Sequence, residues 1–181
     1  WVNFNSHVIA EVVAWSGFDW LLFDMEHTPD DLQLVGTQLL ACRGTPTAPI
    51  VRLPVHDMTW MKRVLDAGAP NVMVPNIRSA AEAREAVAWT RFPHEGLRGV
   101  ASSTRAGNYT RYKDFLGRAN DEIGLVLQIE SREALDDLDA ICRVPGVDAV
   151  FIGPSDLAAA LGYRGQAGHA TVQASIAQAF A

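Results

Sequence analysis

Two carboxylates stand where predicted strands end. Glu130 closes the apolar run Leu125 to Ile129, and Asp156 follows the run Ala149 to Ile152 just beyond Gly153 and Pro154. A buried strand that delivers a carboxylate at its exit, twice, with an acidic helix between, is the layout of a metal site at the C-terminal face of a parallel β/α protein. Mg²⁺ or Mn²⁺ suits such a pair, because these ions take hard oxygen ligands and keep some of their water. The bland alternative is that each carboxylate caps the helix after its strand. Gln128 lies two residues before Glu130, so strand alternation points both to one face. Gly153 and Pro154 open a helix whose first amides, at Ser155 and Asp156, are free to hold a substrate carboxylate; an ordinary strand-to-helix turn is the alternative there.

Asp24, Glu26 and His27 form a second cluster, again at a strand exit. An Asp beside a His can fix its tautomer and raise its basicity, giving an acid/base pair. Surface polarity after a strand is the alternative. Arg52 leaves the next strand directly, placed either to hold a carboxylate or enolate oxygen or to form an ion pair with Asp24 or Glu26. His7, His56, His94 and His169 fall in loops or helix starts and are read as bland. The two lysines, Lys62 and Lys113, lie on a predicted helix and in a long connection. Neither is on a strand, so imine chemistry is disfavoured and metal-assisted enolate chemistry is left.

These residues need elements to hold them. The apolar run Phe18 to Phe23 reads as a strand buried on both faces, hence part of a parallel sheet. Further strands are predicted at Trp1–Phe4, Ala48–Val51, Val72–Pro75, Leu125–Ile129 and Ala149–Ile152, with helices between them. Ser6 and Ser79 are predicted N-caps, and Gly17 and Gly68 helix stops. Six strands match a (β/α)8 barrel lacking two units, or an open doubly wound sheet. No Gly-rich turn follows the first strand, so a dinucleotide fingerprint is absent. Polar exits on several strands converge around one mouth only in a barrel, which is therefore the preferred reading. The connection from Phe92 to Asp121, containing GLRGVASSTRAGNYTRYKDF, breaks the rhythm and is either a functional lid or a surface excursion with a small helix near Tyr112 to Arg118.

The 181 residues are 49% hydrophobic and carry a net charge of -6, which gives one sizeable core and no basic block for nucleic acid or an anionic membrane. No apolar run nears the roughly 20 residues of a membrane span, and no signal peptide is visible. Cys42 and Cys142 fit a reducing, cytoplasmic interior as small buried hydrophobes.

In order along the chain, GFDWLLFDMEH, VRLP, DAGAPNVMVPNI, LRGV, LVLQIE and VDAVFIGPSDLAAALGY resemble the HpcH/HpaI family of class II pyruvate aldolases. The resemblance implies a phosphoenolpyruvate/pyruvate-binding (β/α)8 barrel, commonly a homo-hexamer with an exchanged last helix. It implies that Glu130 and Asp156 hold a divalent cation (Mg²⁺ or Mn²⁺, with Co²⁺ possible), and that Gln128 lies near its water. It further implies Arg52 at the keto or enolate oxygen, His27 with Asp24 as acid/base, Ser155 and Asp156 as the carboxylate cradle, and Trp1 beside the pocket. The family continues through two more β/α units, so residues 1–181 are expected to be a single barrel domain shortened at the C-terminus and also at the start.

The expected activity is metal-dependent cleavage of a 4-hydroxy-2-oxo acid to pyruvate and an aldehyde through a metal-stabilised enolate. Two alternatives stand beside it. A CoA-ester lyase of the citrate lyase β-like type would use Arg98, Arg105 and Arg111 for phosphates. An inactive fragment or assembly subunit would do no chemistry.

Overall fold

A computed structural model describes residues 1–180. The elements run α1 (His7–Ala14), β1 (Trp20–Asp24), α2 (Leu32–Ala41), β2 (Ala48–Arg52), α3 (Met58–Asp66), β3 (Asn71–Val74), α4 (Ala80–Thr90), α5 (Phe115–Arg118), β4 (Gly124–Ile129), α6 (Arg132–Asp136), α7 (Leu138–Cys142), β5 (Ala149–Ile152), α8 (Pro154–Ala160) and α9 (Ala170–Ala179). All strand pairs are parallel and the sheet order is β1-β2-β3-β4-β5. The order never reverses. Right-handed crossovers running in one direction put every connecting helix on the same face of the sheet, whereas a doubly wound sheet reverses to cover both. The sheet is thus a curled arc of a barrel.

Burial agrees with this. Leu21, Phe23, Val51, Leu53, Val72, Val74, Leu125, Leu127, Ile129 and Ile152 join the main core with the helices. Their alternates Ile50, Val126 and Phe151 are only half-buried on the inner face. Trp1 lies across that face, its ring 4.5 Å from the Arg52 guanidinium carbon and 5.6 Å from the Phe151 ring.

The expected strand over Trp1–Phe4 is not formed. Val2 alone makes a parallel bridge to Phe23, donating its N–H to Leu22 O. Phe4 and Asn5 bend at once, and Ser6 caps α1 by accepting from the Ile9 amide, so no second residue stays in pairing register. The single helix expected over Arg132 to Cys142 is broken at Asp137. The Asp137 carboxylate accepts the Ala80 amide at 2.6 Å, spending its hydrogen-bonding capacity on the N-terminus of α4. Otherwise the sequence signals hold. Ser6, Asp31, Asp57, Ser79 and Ser131 each accept an amide from their own helix.

The long connection passes beneath the barrel. Arg98 pairs with Asp66 at 3.1 Å, Arg105 donates to Ala67 O at 2.7 Å, and Ala106 N–H donates to Asp66 O. These partners end α3, which carries the chain from the C-terminal to the N-terminal ends of the strands. The segment is therefore not a lid over the mouth. Buried Arg98 organises it, with its guanidinium 4.4 Å from the Phe92 ring centroid and Phe115 edge-on to Phe92. Arg98→Ala should cost about 3 kcal/mol in urea unfolding, because it empties this position and strips Asp66 of its partner. Its effect on chemistry at the mouth should be small, since Arg98 belongs to the opposite end.

Candidate active site

Arg52 is the last residue of β2 and is buried with Asp24 directly beside it in register on β1. Its Nε donates to Asp24 Oδ1 at 2.8 Å and Nη2 to Oδ2 at 2.6 Å, a bidentate pair. Nη1 donates to Gln128 Oε1 at 3.3 Å and stands 2.7 Å from Glu26 Oε2. The Glu26 contact is an ion pair rather than an aligned hydrogen bond, as no donor lies in line with that oxygen. Asp24 also accepts the backbone amides of Glu26 and His27, and Thr28 Oγ1 donates to its carbonyl. One carboxylate thus fixes both the guanidinium and the loop that follows β1.

The network continues across the inner face. Gln128 Nε2 donates to Glu130 Oε2 at 2.6 Å, and the Asn76 amide donates to Glu130 Oε1 at 2.8 Å. Glu130 is buried. Gly153 leaves room for it: a Cβ there would stand 2.5 Å from Glu130 Oε2 and 3.0 Å from Gln128 Nε2. Asp156 lies in the first turn of α8, exposed, near enough for its charge to act on Glu130. The amides of Ser155 and Asp156, at the start of that helix, have no intrahelical acceptor.

The sequence profile of the HpcH/HpaI aldolase/citrate lyase family matches residues 1–181. This chain belongs to that family. It is 48% identical over 180 residues to a 4-hydroxy-2-oxo-heptane-1,7-dioate aldolase of Shigella sonnei, covering 99% of this chain and 69% of that protein. It is 43% identical over 180 residues to a 5-keto-4-deoxy-D-glucarate aldolase of Escherichia coli, covering 99% and 70%. The crystal structure of a family protein from Burkholderia cenocepacia J2315 superimposes with a TM-score of 0.96 at 40% identity, over 99% of this chain and 72% of that one.

Within this HpcH/HpaI chain, Asp24, Arg52, Gln128 and Glu130 form one hydrogen-bonded chain, with Trp1 stacked over Arg52. His27 is placed differently from the expected dyad. Its side chain is 63% exposed, and its Nε2 faces Glu26 Oε2 at 3.8 Å rather than the Asp24 carboxylate. Asp24 reaches His27 only through the backbone amide, because Arg52 occupies both of its oxygens. Sequence reasoning missed the structural part of Asn76, and no side-chain signal marked it, since its backbone makes the contact. For Glu26 it offered only the alternative of an ion pair with Arg52, and that contact is present at 2.7 Å. Arg98 and Arg105 lie at the opposite end of the barrel, where a cavity of about 430 Å³ is lined by Arg43, Thr47, Arg105 and Tyr109 and holds no member of this network.

Charge at the mouth is unbalanced. Burial pushes the Glu130 carboxyl up; the Asn76 and Gln128 hydrogen bonds pull it down, Asp156 pushes it up again, and the net direction is upward. Burial also raises Glu26, with Arg52 opposing and Glu130 adding to the rise. Burial would raise Asp24 as well, but the Arg52 hydrogen bonds and charge, with the Glu26 and His27 amides, outweigh it and bring it below its usual value. Among the described residues no three His, Cys, Asp or Glu side chains converge as a ready-made ligand set. Two carboxylates with surplus negative charge, packed against a glycine that leaves Glu130 its space, still fit a divalent cation that draws its remaining ligands from water and substrate.

A carboxyl raised in the folded state contributes stability that is complete below its unfolded pKa and is lost as pH rises through the folded one; a depressed carboxyl such as Asp24 contributes above its unfolded pKa and loses that as pH falls. Because the Glu130 carboxyl is raised, the metal-free parent should lose stability relative to Glu130→Gln as pH rises from about 4 to about 8, so the difference between their melting temperatures should shift in favour of the variant. Parallel melting curves from pH 4 to pH 8 check this.

Proposed function

We propose that this chain is a divalent-metal-dependent aldolase that cleaves a 4-hydroxy-2-oxo acid to pyruvate and an aldehyde. The observation that carries the reading is the buried chain of hydrogen bonds from Asp24 through Arg52 and Gln128 to Glu130, at the C-terminal ends of parallel strands in a family with aldolases among its members. Glu130 and Asp156 would hold the cation, with Mg²⁺ or Mn²⁺ preferred and Co²⁺ also accommodated by oxygen ligands. The bound cation would supply Lewis-acid polarisation of the carboxylate and keto oxygens of the 2-oxo acid.

The remaining work falls to this chain's side chains. The Ser155 and Asp156 amides receive the substrate carboxylate, and Trp1 walls the pocket on the side of Arg52. His27 takes the proton of the 4-hydroxyl. The C4–O bond becomes a carbonyl, the C3–C4 bond breaks, and its electron pair flows onto the keto oxygen as an enolate. Arg52 has five N–H groups. Two contact Asp24 and Nη1 faces Gln128 and Glu26, leaving an Nη2 hydrogen for the developing oxyanion. Because Asp24 fixes the guanidinium beforehand, the charge meets a preorganised donor. Return of that proton from His27 to C3 then gives pyruvate and restores the base.

The single barrel domain and the homo-oligomeric state belong to the same proposal. Exposed Val8, Val12, Trp15, Phe18 and Trp20 on α1 and the β1 edge support assembly with further copies. The described helices include none long and apolar enough to cross a membrane. No observation favours a CoA ester, since Arg98 and Arg105 lie at the far end.

Coupled pyruvate detection with a 4-hydroxy-2-oxo acid tests the reading. Release should require Mn²⁺, stop with a chelator and vanish in Glu130→Gln. His27→Ala should lower kcat by about 10²–10⁴-fold. Undiminished release in chelator, or in Glu130→Gln, would overturn the metal site.

A further inference from the structure

The exit of β3 holds the Glu130 carboxylate through a backbone amide. Pro75 follows Val74, the last residue of the strand, and has no N–H. The next two amides both turn to the end of β4. Asn76 N–H donates to Glu130 Oε1 at 2.8 Å, and Ile77 N–H donates to Gln128 O at 3.2 Å. Asn76 reaches this position with φ at +52°, in the left-handed region. Asparagine is enriched there, and β-branched residues are genuine outliers. Pro75 and Ile77 beside it are buried, whereas Asn76 is exposed.

Resting on the metal reading above, we infer that Asn76 is a positioning residue: its left-handed backbone aims an amide that locks the Glu130 carboxylate in the orientation that binds the cation. Gln128 occupies Oε2 and Asn76 occupies Oε1. Each oxygen keeps a second lone pair, and the two donors together fix the plane in which those lone pairs lie. Gly153 leaves the space on the other side to the carboxylate, since a Cβ there would stand 2.5 Å from Glu130 Oε2. With the Asn76 amide turned away, only Gln128 would define the rotation of Glu130. The exposed carboxamide is dispensable in this account, and the backbone conformation is what matters.

Two substitutions separate backbone from side chain. Asn76→Gly deletes the carboxamide and keeps the conformation accessible; Asn76→Val makes it costly. Mn²⁺ binding is measured by electron paramagnetic resonance of free Mn²⁺, on the full chain, with melting curves as a fold control. Asn76→Gly should bind within about twofold of the parent. Asn76→Val should bind about tenfold more weakly, the scale of a left-handed penalty expressed as affinity. Asn76→Ala, with an unbranched Cβ, should fall between them and serves if the valine variant does not fold. Equal Mn²⁺ affinity in all three variants, with loss in Glu130→Gln, would overturn the positioning role and leave the metal site standing. No Mn²⁺ binding by the parent would overturn both. A loss in Asn76→Gly as large as in Asn76→Val would assign the effect to the carboxamide and overturn the backbone account.

Discussion

The bidentate pair between Arg52 and Asp24 is the constraint on which the mouth depends. It joins β1 to β2 through two short hydrogen bonds in a buried place. Breaking a buried pair by removing one partner typically costs about 3–5 kcal/mol, because the survivor is left charged and dry. Arg52 then passes the constraint on, through Gln128 to Glu130 and by charge to Glu26. Asp24 passes it to the following loop by accepting two amides. Every ionisable group assigned a chemical role is therefore within a few hydrogen bonds of this one contact, except Asp156, which reaches Glu130 by charge alone.

The same arrangement separates two kinds of carboxylate. Asp24 is paired with a cation and sits below its usual pKa. Glu26 meets the same guanidinium in an unaligned ion pair and Glu130 reaches it only through Gln128, and both sit above theirs. A site with one guanidinium among Asp24, Glu26, Glu130 and Asp156 is short of positive charge. A divalent cation and a protonated substrate hydroxyl are chemical partners that such a deficit accommodates. Glycine at position 153 shows the same demand sterically, since the volume a side chain would take is left to Glu130 and Gln128.

Much of this was legible in the sequence, for identifiable reasons. Strand exits were readable because continuous apolar runs mark strands buried on both faces, and the polar residue that ends each run then stands out. Glu130 and Gln128 could be assigned to one face from a spacing of two, and their 2.6 Å hydrogen bond agrees. Helix caps at Ser6 and Ser79 were readable because a short hydroxyl side chain has a local amide to satisfy. Three features were hidden because they depend on tertiary neighbours. Asp137 breaks a helix in order to cap a different one. Arg98 lies under the barrel in an ion pair with a residue thirty-two positions away. Asn76 acts through its backbone, which has no sequence signature beyond the Pro before it. The dyad of Asp24 and His27 was inferred from adjacency along the chain, while Arg52, distant in sequence, occupies the oxygens of Asp24.

The central claim is that the cation and Arg52 together form a binding site for an enolate-like dianion. Oxalate, a planar mimic of pyruvate enolate, tests it by calorimetric titration into the protein with Mn²⁺ and again with a chelator, for the parent and for Arg52→Lys. Oxalate should bind the parent only with Mn²⁺, and Arg52→Lys should weaken that binding at least tenfold, since a lysine cannot reproduce the bidentate fork. Equal oxalate affinity with and without Mn²⁺, or no effect of Arg52→Lys, would contradict it.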